Sequence, residues 1–212
     1  AGTRSATATG PGNDGEGDAG GTITVNSGSA PDVVDLATTA GSIVGGVGAG
    51  VTGTTGTLTA TAAIGPLNTS VSSMSVTAGT SVDVSNGQSL TMTALTAGGN
   101  ISIAASGSLD LSATGLSAPG FAVTLSALGD LSVGAPALTA ASLDISARVI
   151  GSPATHLTTV TNTLTVATTG GGIYVDNASA ALTIVSATAV GPNGDLLITN
   201  TGNIVLGTVA GF

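Results

Sequence analysis

The residues of this chain with the most capacity for chemistry are its carboxylates, and three of them share one setting. Asp83, Asp110 and Asp144 are each the middle residue of an apolar–x–apolar triplet: Val82-Asp83-Val84, Leu109-Asp110-Leu111 and Leu143-Asp144-Ile145. Alternation with period two puts such a middle residue on the face opposite its two neighbours. Carboxylates stacked on one outward face could perform the acid/base cleavage of a glycosidic bond or ligate calcium. Asp110 and Asp130 stand one repeat apart (130 − 110 = 20), yet Asp130 precedes its triplet while Asp110 lies inside one, so they do not read as a stacked pair. The chain has no Lys, and Arg148 is the only Arg beyond the N-terminal segment. The expectation is a solvated strand face with no catalytic residues, hence not an enzyme.

Other residues also have types that could do chemistry. Asn13-Asp14-Gly15-Glu16-Gly17-Asp18 offers Asp14, Glu16 and Asp18 as a loose calcium candidate, without the spacing of an EF-hand or of the repeat-in-toxin nonapeptide. The expectation there is an acidic linker, with no cofactor. His156 is the single His, no Cys accompanies it, and zinc needs more ligands than that, so it reads as a surface residue without a role. Tyr174 is the middle of Ile173-Tyr174-Val175 and is expected to be exposed, and Phe121 to fill core or corner. Asn68, Asn100 and Asn177 head glycosylation sequons, although in a chain this rich in Ser and Thr they serve equally as turn formers.

The elements that position these residues are the triplets themselves. Ile23-Thr24-Val25, Val82-Asp83-Val84, Leu90-Thr91-Met92, Ile101-Ser102-Ile103, Leu131-Ser132-Val133, Leu164-Thr165-Val166, Leu182-Thr183-Ile184 and Ile204-Val205-Leu206 recur, often just after Gly. Successive members are spaced by about 18 to 22 residues, the length of one coil of a parallel β-helix. The corners between strands are too short for a βαβ crossover. A longer repeat lies over the short one: residues 64–111 match 150–206, with an offset of 90 at Leu67 and Leu157 (157 − 67 = 90) and 95 at Leu109 and Ile204 (204 − 109 = 95). Residues 1–21, Gly-rich and acidic, read as an arm or linker, and 22–212 as the repeat domain. The second Gly-rich stretch, 40–51, reads as a distorted first rung or a cap.

Composition narrows the function. Aromatics are 1% of the 212 residues and Gly numbers 34, which suits a narrow core of stacked Val, Ile, Leu and Ala rather than a bulky one. Two cationic residues against a formal charge of −9 argue against nucleic acid and against an anionic membrane surface. Mean hydropathy is +0.55, yet no run of 18 apolar residues occurs, so no membrane-spanning helix is expected. No signal peptide is visible and the chain begins without Met, which reads as a matured or excised piece of a longer array. The absence of Cys excludes disulfides and leaves the redox compartment open.

The Gly-Asn and Gly-Asp strand motifs, with the segment Leu157 to Val175, resemble bacterial β-strand-repeat surface proteins, the filamentous-haemagglutinin-type and autotransporter-like adhesins. The resemblance covers most of residues 21–206 and lies in repeat grammar. It implies a right-handed parallel β-helix, secreted or held at the cell surface, that serves as stalk, fibre or adhesive rod. The expected function is therefore a non-catalytic structural module of an extracellular filament or adhesin, self-associating end to end, with a cell-surface glycan as a further partner. Two rivals stand beside it: a polysaccharide-binding or polysaccharide-cleaving β-helix protein, and a donor-strand-type pilin subunit.

Overall fold

The computed structural model describes residues 4–5, 15–19, 21–26, 28–30, 32–46, 50–134, 137–192 and 194–211. The protein is an all-β parallel solenoid of about 9 turns with rungs of ~21 residues. Every strand pairing between described strands is parallel, as coils stacked in one direction require. The strand Leu90–Ala97 pairs with Ser73–Ala78, and Ile101–Ala105 with Val82–Asn86, one coil back in each case rather than with each other. A β-sandwich completed by a donated strand is thus not the architecture.

The chain divides into two compact units, Ala1–Ser106 and Gly107–Phe212, a boundary that the tandem copies 64–111 and 150–206 do not mark. In the first unit one file of strands runs Ile23–Val25, Ile43–Gly45, Ile64–Ser70, Val82–Asn86, Ile101–Ala105. The other runs Gly15–Ala19, Val33–Thr38, Thr55–Ala60, Ser73–Ala78, Leu90–Ala97. In the second unit Ile150 bridges Leu131 to Ile173, and Ile173–Asn177 pairs with Leu196–Asn200. The second file there descends from Leu116–Ala127 through Leu138–Ala147, Thr163–Thr168 and Ala181–Ala189 to Asn203–Gly211.

The register explains why the triplets hold the fold. Partner positions carry Ile23, Ile43, Ile64, Val82 and Ile101 in the first unit, each at most 2% exposed. Each rung therefore lays an aliphatic side chain on the one below, and each such burial contributes about 1.5–3 kcal/mol. Triplet middles point to solvent: Asp83, Asp144 and Thr183 are exposed. The expected arm contributes two strands to the stack, since Arg4–Ser5 pairs with Ile23–Val25 and Gly15–Ala19 with Val33–Thr38. Of the second Gly-rich stretch, Ile43–Gly45 is a strand of a rung as well, with Ile43 wholly buried.

Interruptions of the strand ladder are set by backbone constraints. Gly65 and Gly151 hold equivalent places in the tandem copies and both have positive φ, +104° and +68°. A Cβ at Gly65 would lie 1.9 Å from the Asp83 carbonyl oxygen, and one at Gly151 2.6 Å from that of Tyr174. Only glycine fits a turn that leans this closely on the next rung.

A second corner device recurs in both copies. Asn86 is 2% exposed; its Oδ1 accepts from Thr69 Oγ1 (2.9 Å) and Val71 N (2.9 Å), and its Nδ2 donates to the Val71 carbonyl (3.0 Å). Asn177 is 3% exposed; its Oδ1 accepts from Thr159 Oγ1 (2.8 Å) and Thr161 N (3.0 Å), and its Nδ2 donates to the Thr161 carbonyl (3.0 Å). A buried amide satisfied this fully replaces the ladder bonds that a corner interrupts.

Candidate functional site

The three mid-triplet aspartates do not gather. The register sets Ser102 beside Asp83, Ser132 beside Asp110, and Thr124 and Thr165 beside Asp144, so no rung stacks a carboxylate on another of them. Asp110 instead accepts from its own turn, from Ser112 N at 2.8 Å. Of the calcium candidates, Asp14 lies outside the described residues. Glu16 and Asp18 lie on the strand Gly15–Ala19, in register with Asp35 and Ala37. Among the described residues no group of three or more His, Cys, Asp or Glu is placed to hold a metal ion, and no helix is long and apolar enough to cross a membrane.

Chemistry collects elsewhere, at the corner that follows Ile150. The first tandem copy passes the same point within the strand Ile64–Ser70, as a bulge at Gly65-Pro66. The second reads Ile150-Gly151-Ser152-Pro153-Ala154-Thr155-His156-Leu157, four residues longer (five between Gly151 and Leu157 against one between Gly65 and Leu67). The extra residues close a small turn: Ser152 N donates to the Thr155 carbonyl (2.8 Å), Thr155 N to that of Ser152 (3.1 Å), and Ser152 Oγ also accepts from Thr155 N (3.0 Å).

His156, expected at the surface, ends this turn half-buried and in contact with the next coil. Its Nδ1 lies 3.0 Å from Asp176 Oδ2, and its ring stacks on Tyr174 with centroids 5.8 Å apart and planes at 26°. Tyr174, expected to be exposed, is 7% exposed, because the long turn carries the imidazole over its ring. The Tyr174 hydroxyl donates to Asp195 Oδ2 at 2.9 Å, and Thr199 Oγ1 donates to Asp176 Oδ1 at 2.7 Å. Hydrogen bonds from Thr199 and then His156 hold the Asp176 carboxyl below the usual carboxylate range. The hydrogen bond to Asp195, together with burial and the charge of that carboxylate, raises the Tyr174 phenol above its ordinary value. The turn is thus braced by side chains one and two coils further on.

Beside the turn lies a cleft of about 340 Å³. Its polar lining includes Asp130, Ser132, Ser152 and Thr155, and the half-buried Val133 and Val149 add apolar surface. Asp130 Oδ2 accepts from Arg148 Nη2 at 2.7 Å in an ion pair that is 42% and 54% exposed, and such a pair contributes about 1 kcal/mol at most. Asp130 Oδ1 is the single buried side-chain nitrogen or oxygen without a hydrogen-bond partner among the described residues. Phe121, expected in core or corner, is 38% exposed, because residues 119–121 bulge out where the register shifts between Ala118 and Ala122.

Sequence reasoning passed over Asn86, Asp176, Asp195 and Thr199, and it read Asn177 only as a sequon or turn former without its partners. The tandem repeat held a signal for two of them, since Asn86 and Asn177 are 91 residues apart (177 − 86 = 91), within the offset of the copies. Comparison of the chain with protein-family models, with curated proteins and with solved structures found no match.

Proposed function

We propose that this protein is a non-catalytic structural module of an extracellular filament or surface adhesin, in which the rung that holds Asn203–Gly211 is covered by a further rung of the same repeat, from a second copy or from a longer array. One observation carries the reading. In Asn203–Gly211 the triplet Ile204, Val205, Leu206 is 39%, 58% and 66% exposed, and Val209 is 45% exposed. In the rungs below, the matching triplet ends Leu182, Ile184, Leu164 and Val166 are at most 3% exposed. Beneath Ile204 and Leu206 a gap of about 180 Å³, lined also by Ile184, Leu196, Ile198 and Val209, opens the aliphatic core to water. Asn203–Gly211 pairs with Ala181–Ala189 on one edge, and its other edge has no paired strand among the described residues. An apolar, unpaired strand edge recruits another strand, and solenoid rungs gain stability from such neighbours. The repeat grammar shared with haemagglutinin-type adhesins supports the secreted or cell-surface setting.

Sedimentation velocity of the 212-residue chain over a wide concentration range tests this. The native chain is expected to form concentration-dependent oligomers, and the double variant Leu206→Lys, Val209→Lys to remain monomeric with an unchanged circular dichroism spectrum. A native chain that stays monomeric at every concentration, or a variant that assembles equally well, overturns the proposal.

A further inference from the structure

One face of the first unit carries hydroxyls at every second position of three consecutive strands, Thr55–Ala60, Ser73–Ala78 and Leu90–Ala97. Gly56, Leu58, Met74, Val76, Met92 and Leu95 are buried, so the residues beside them point outward and are half-buried or exposed. The register sets these outward residues in three columns, which start at Thr55, Thr57 and Thr59. Thr59 meets Thr77, for instance, and Thr77 meets Thr96. Eight of the nine positions are Thr or Ser, and the ninth is Ala94, next to the bulge at Thr93. Thr55 Oγ1 lies 3.2 Å from Ser73 Oγ, so hydroxyls of successive rungs touch. Strand preference accounts for Thr in such places, but not for the absence of charge. The chain has 11 Asp and Glu, and the grid has none. Asp35 borders it in register with Thr57, and Asp110 lies on the strand that pairs beyond Leu90–Ala97.

We infer that this grid binds the surface of ice. Its side chains decide against other ligands. A protein partner is held by aromatic, Arg or large apolar anchors, and nucleic acid by cations; the grid presents none of these. A hydrogen bond from one hydroxyl contributes only about 0.5–1.5 kcal/mol net. A neutral grid therefore gains affinity only from a ligand that repeats with it and meets many hydroxyls at once. Rows of a parallel sheet stand about 4.8 Å apart, and alternate residues along a row about 6.6 Å. These intervals are close to the two oxygen repeats on the prism face of hexagonal ice. Ice is also neutral, and its surface oxygens both donate and accept, as hydroxyls do. The Thr methyl groups between the hydroxyls restrict the orientations of the water above them, which holds that water near lattice positions before the crystal meets it. A carboxylate would instead draw water into a shell of its own geometry, which accounts for a grid free of charge. No grid residue lies on the rung of Asn203–Gly211, so the inference stands apart from the covering of that rung.

The test grows an ice hemisphere slowly from a dilute solution of the full 212-residue chain and compares the protein in the ice with the protein left in the liquid. An inert globular protein of similar size gives the baseline. The native chain is expected to be enriched in the ice several-fold over that baseline, and to facet single crystals held just below melting. Ser75→Lys at the centre of the grid and Thr77→Lys at an exposed position of it should each bring the enrichment down to baseline. Ser85→Lys, on the exposed side of Val82–Asn86 in the other file of strands, should leave it unchanged. Circular dichroism and thermal melts show which variants are folded, and the exposed Thr77 keeps the test decisive if Ser75→Lys fails to fold. A native chain at baseline overturns the inference. A folded Thr77→Lys variant that stays enriched also overturns it, as does an equal loss in folded Ser85→Lys. Pairing of two copies through this face, seen as an oligomer that Thr77→Lys abolishes while the native chain shows no enrichment in ice, overturns it in favour of a second copy.

Discussion

Asn177 donates from Nδ2 to Oδ1 of Asn200, one coil further on, at 2.9 Å. The two amides join consecutive corners, and Asn200 passes the contact on by donating to the Asn203 carbonyl at 3.0 Å. A corner lacks strand-ladder bonds, so a linked pair of side-chain amides supplies the lateral connection that backbone supplies along the flat faces.

Asn177→Ala is expected to destabilise the protein more than Asn86→Ala. Asn177 bonds Thr159, Thr161, Ser179 and Asn200, and its loss also leaves partners of two coils unsatisfied. A buried group stripped of its partner costs about 1–3 kcal/mol. Urea unfolding of the two variants should place both within or somewhat above that range, with the larger loss at Asn177; equal stability to the native chain would contradict the corner role.

The three sequons are not equivalent in the folded chain. Asn68 and Asn100 are exposed and Asn177 is buried. Expression in a host that glycosylates secreted proteins, followed by glycopeptide mass spectrometry, should find glycan at Asn68 and Asn100 in folded material and none at Asn177. Folded protein carrying glycan at Asn177 would contradict its burial.

Inward and outward triplet positions should respond differently to charge. Leu109 is wholly buried, so Leu109→Asp places an uncompensated carboxylate in an aliphatic core and should cost several kcal/mol, on the order of the penalty for a buried unpaired polar group. Asp110 is half-buried and its carboxylate accepts from Ser112 N in its own turn, so Asp110→Ser should shift stability by about 1 kcal/mol or less. Thermal melts that fall equally for both would reverse the assigned faces.

The braced corner should show in the pH dependence of stability. Asp176 has a lowered pKa, so its stabilisation is complete above the unfolded-state value and is lost as pH falls through the folded-state value. Thr199→Val removes the largest cause of the lowering, and it should flatten the decline of the melting temperature in acid. Tyr174 has a raised pKa, so its contribution is complete at neutral pH and is lost as pH rises through the folded-state value. Tyr174→Phe should remove the alkaline decline while leaving the acid one. Melting curves across both ranges check the two variants separately.

The fold was legible because one local rule generates it. Ile101-Ser102-Ile103 states in three residues which side is core, and its spacing from Val82-Asp83-Val84 states the length of a coil. The corner chemistry was less legible. The partners of His156 lie about one coil away, at Tyr174 and Asp176, and no short-range pattern links them. Tyr174 obeys the alternation in its strand position and departs from it only in exposure, because the long turn carries a second ring over it. Phe121 departs for a related reason: residues 119–121 interrupt the register rather than extend it. Alternation describes what a strand does to its own side chains. It is silent on what a neighbouring loop lays across them.

The point marked by Gly65 in one copy and Gly151 in the other takes one residue in the first and five in the second without disturbing the columns of Ile and Leu on either side. Length at that point is therefore decoupled from the rest of the fold. This makes the corner a natural graft site, where foreign epitopes of varied sequence could be displayed on a scaffold whose core would not register the exchange.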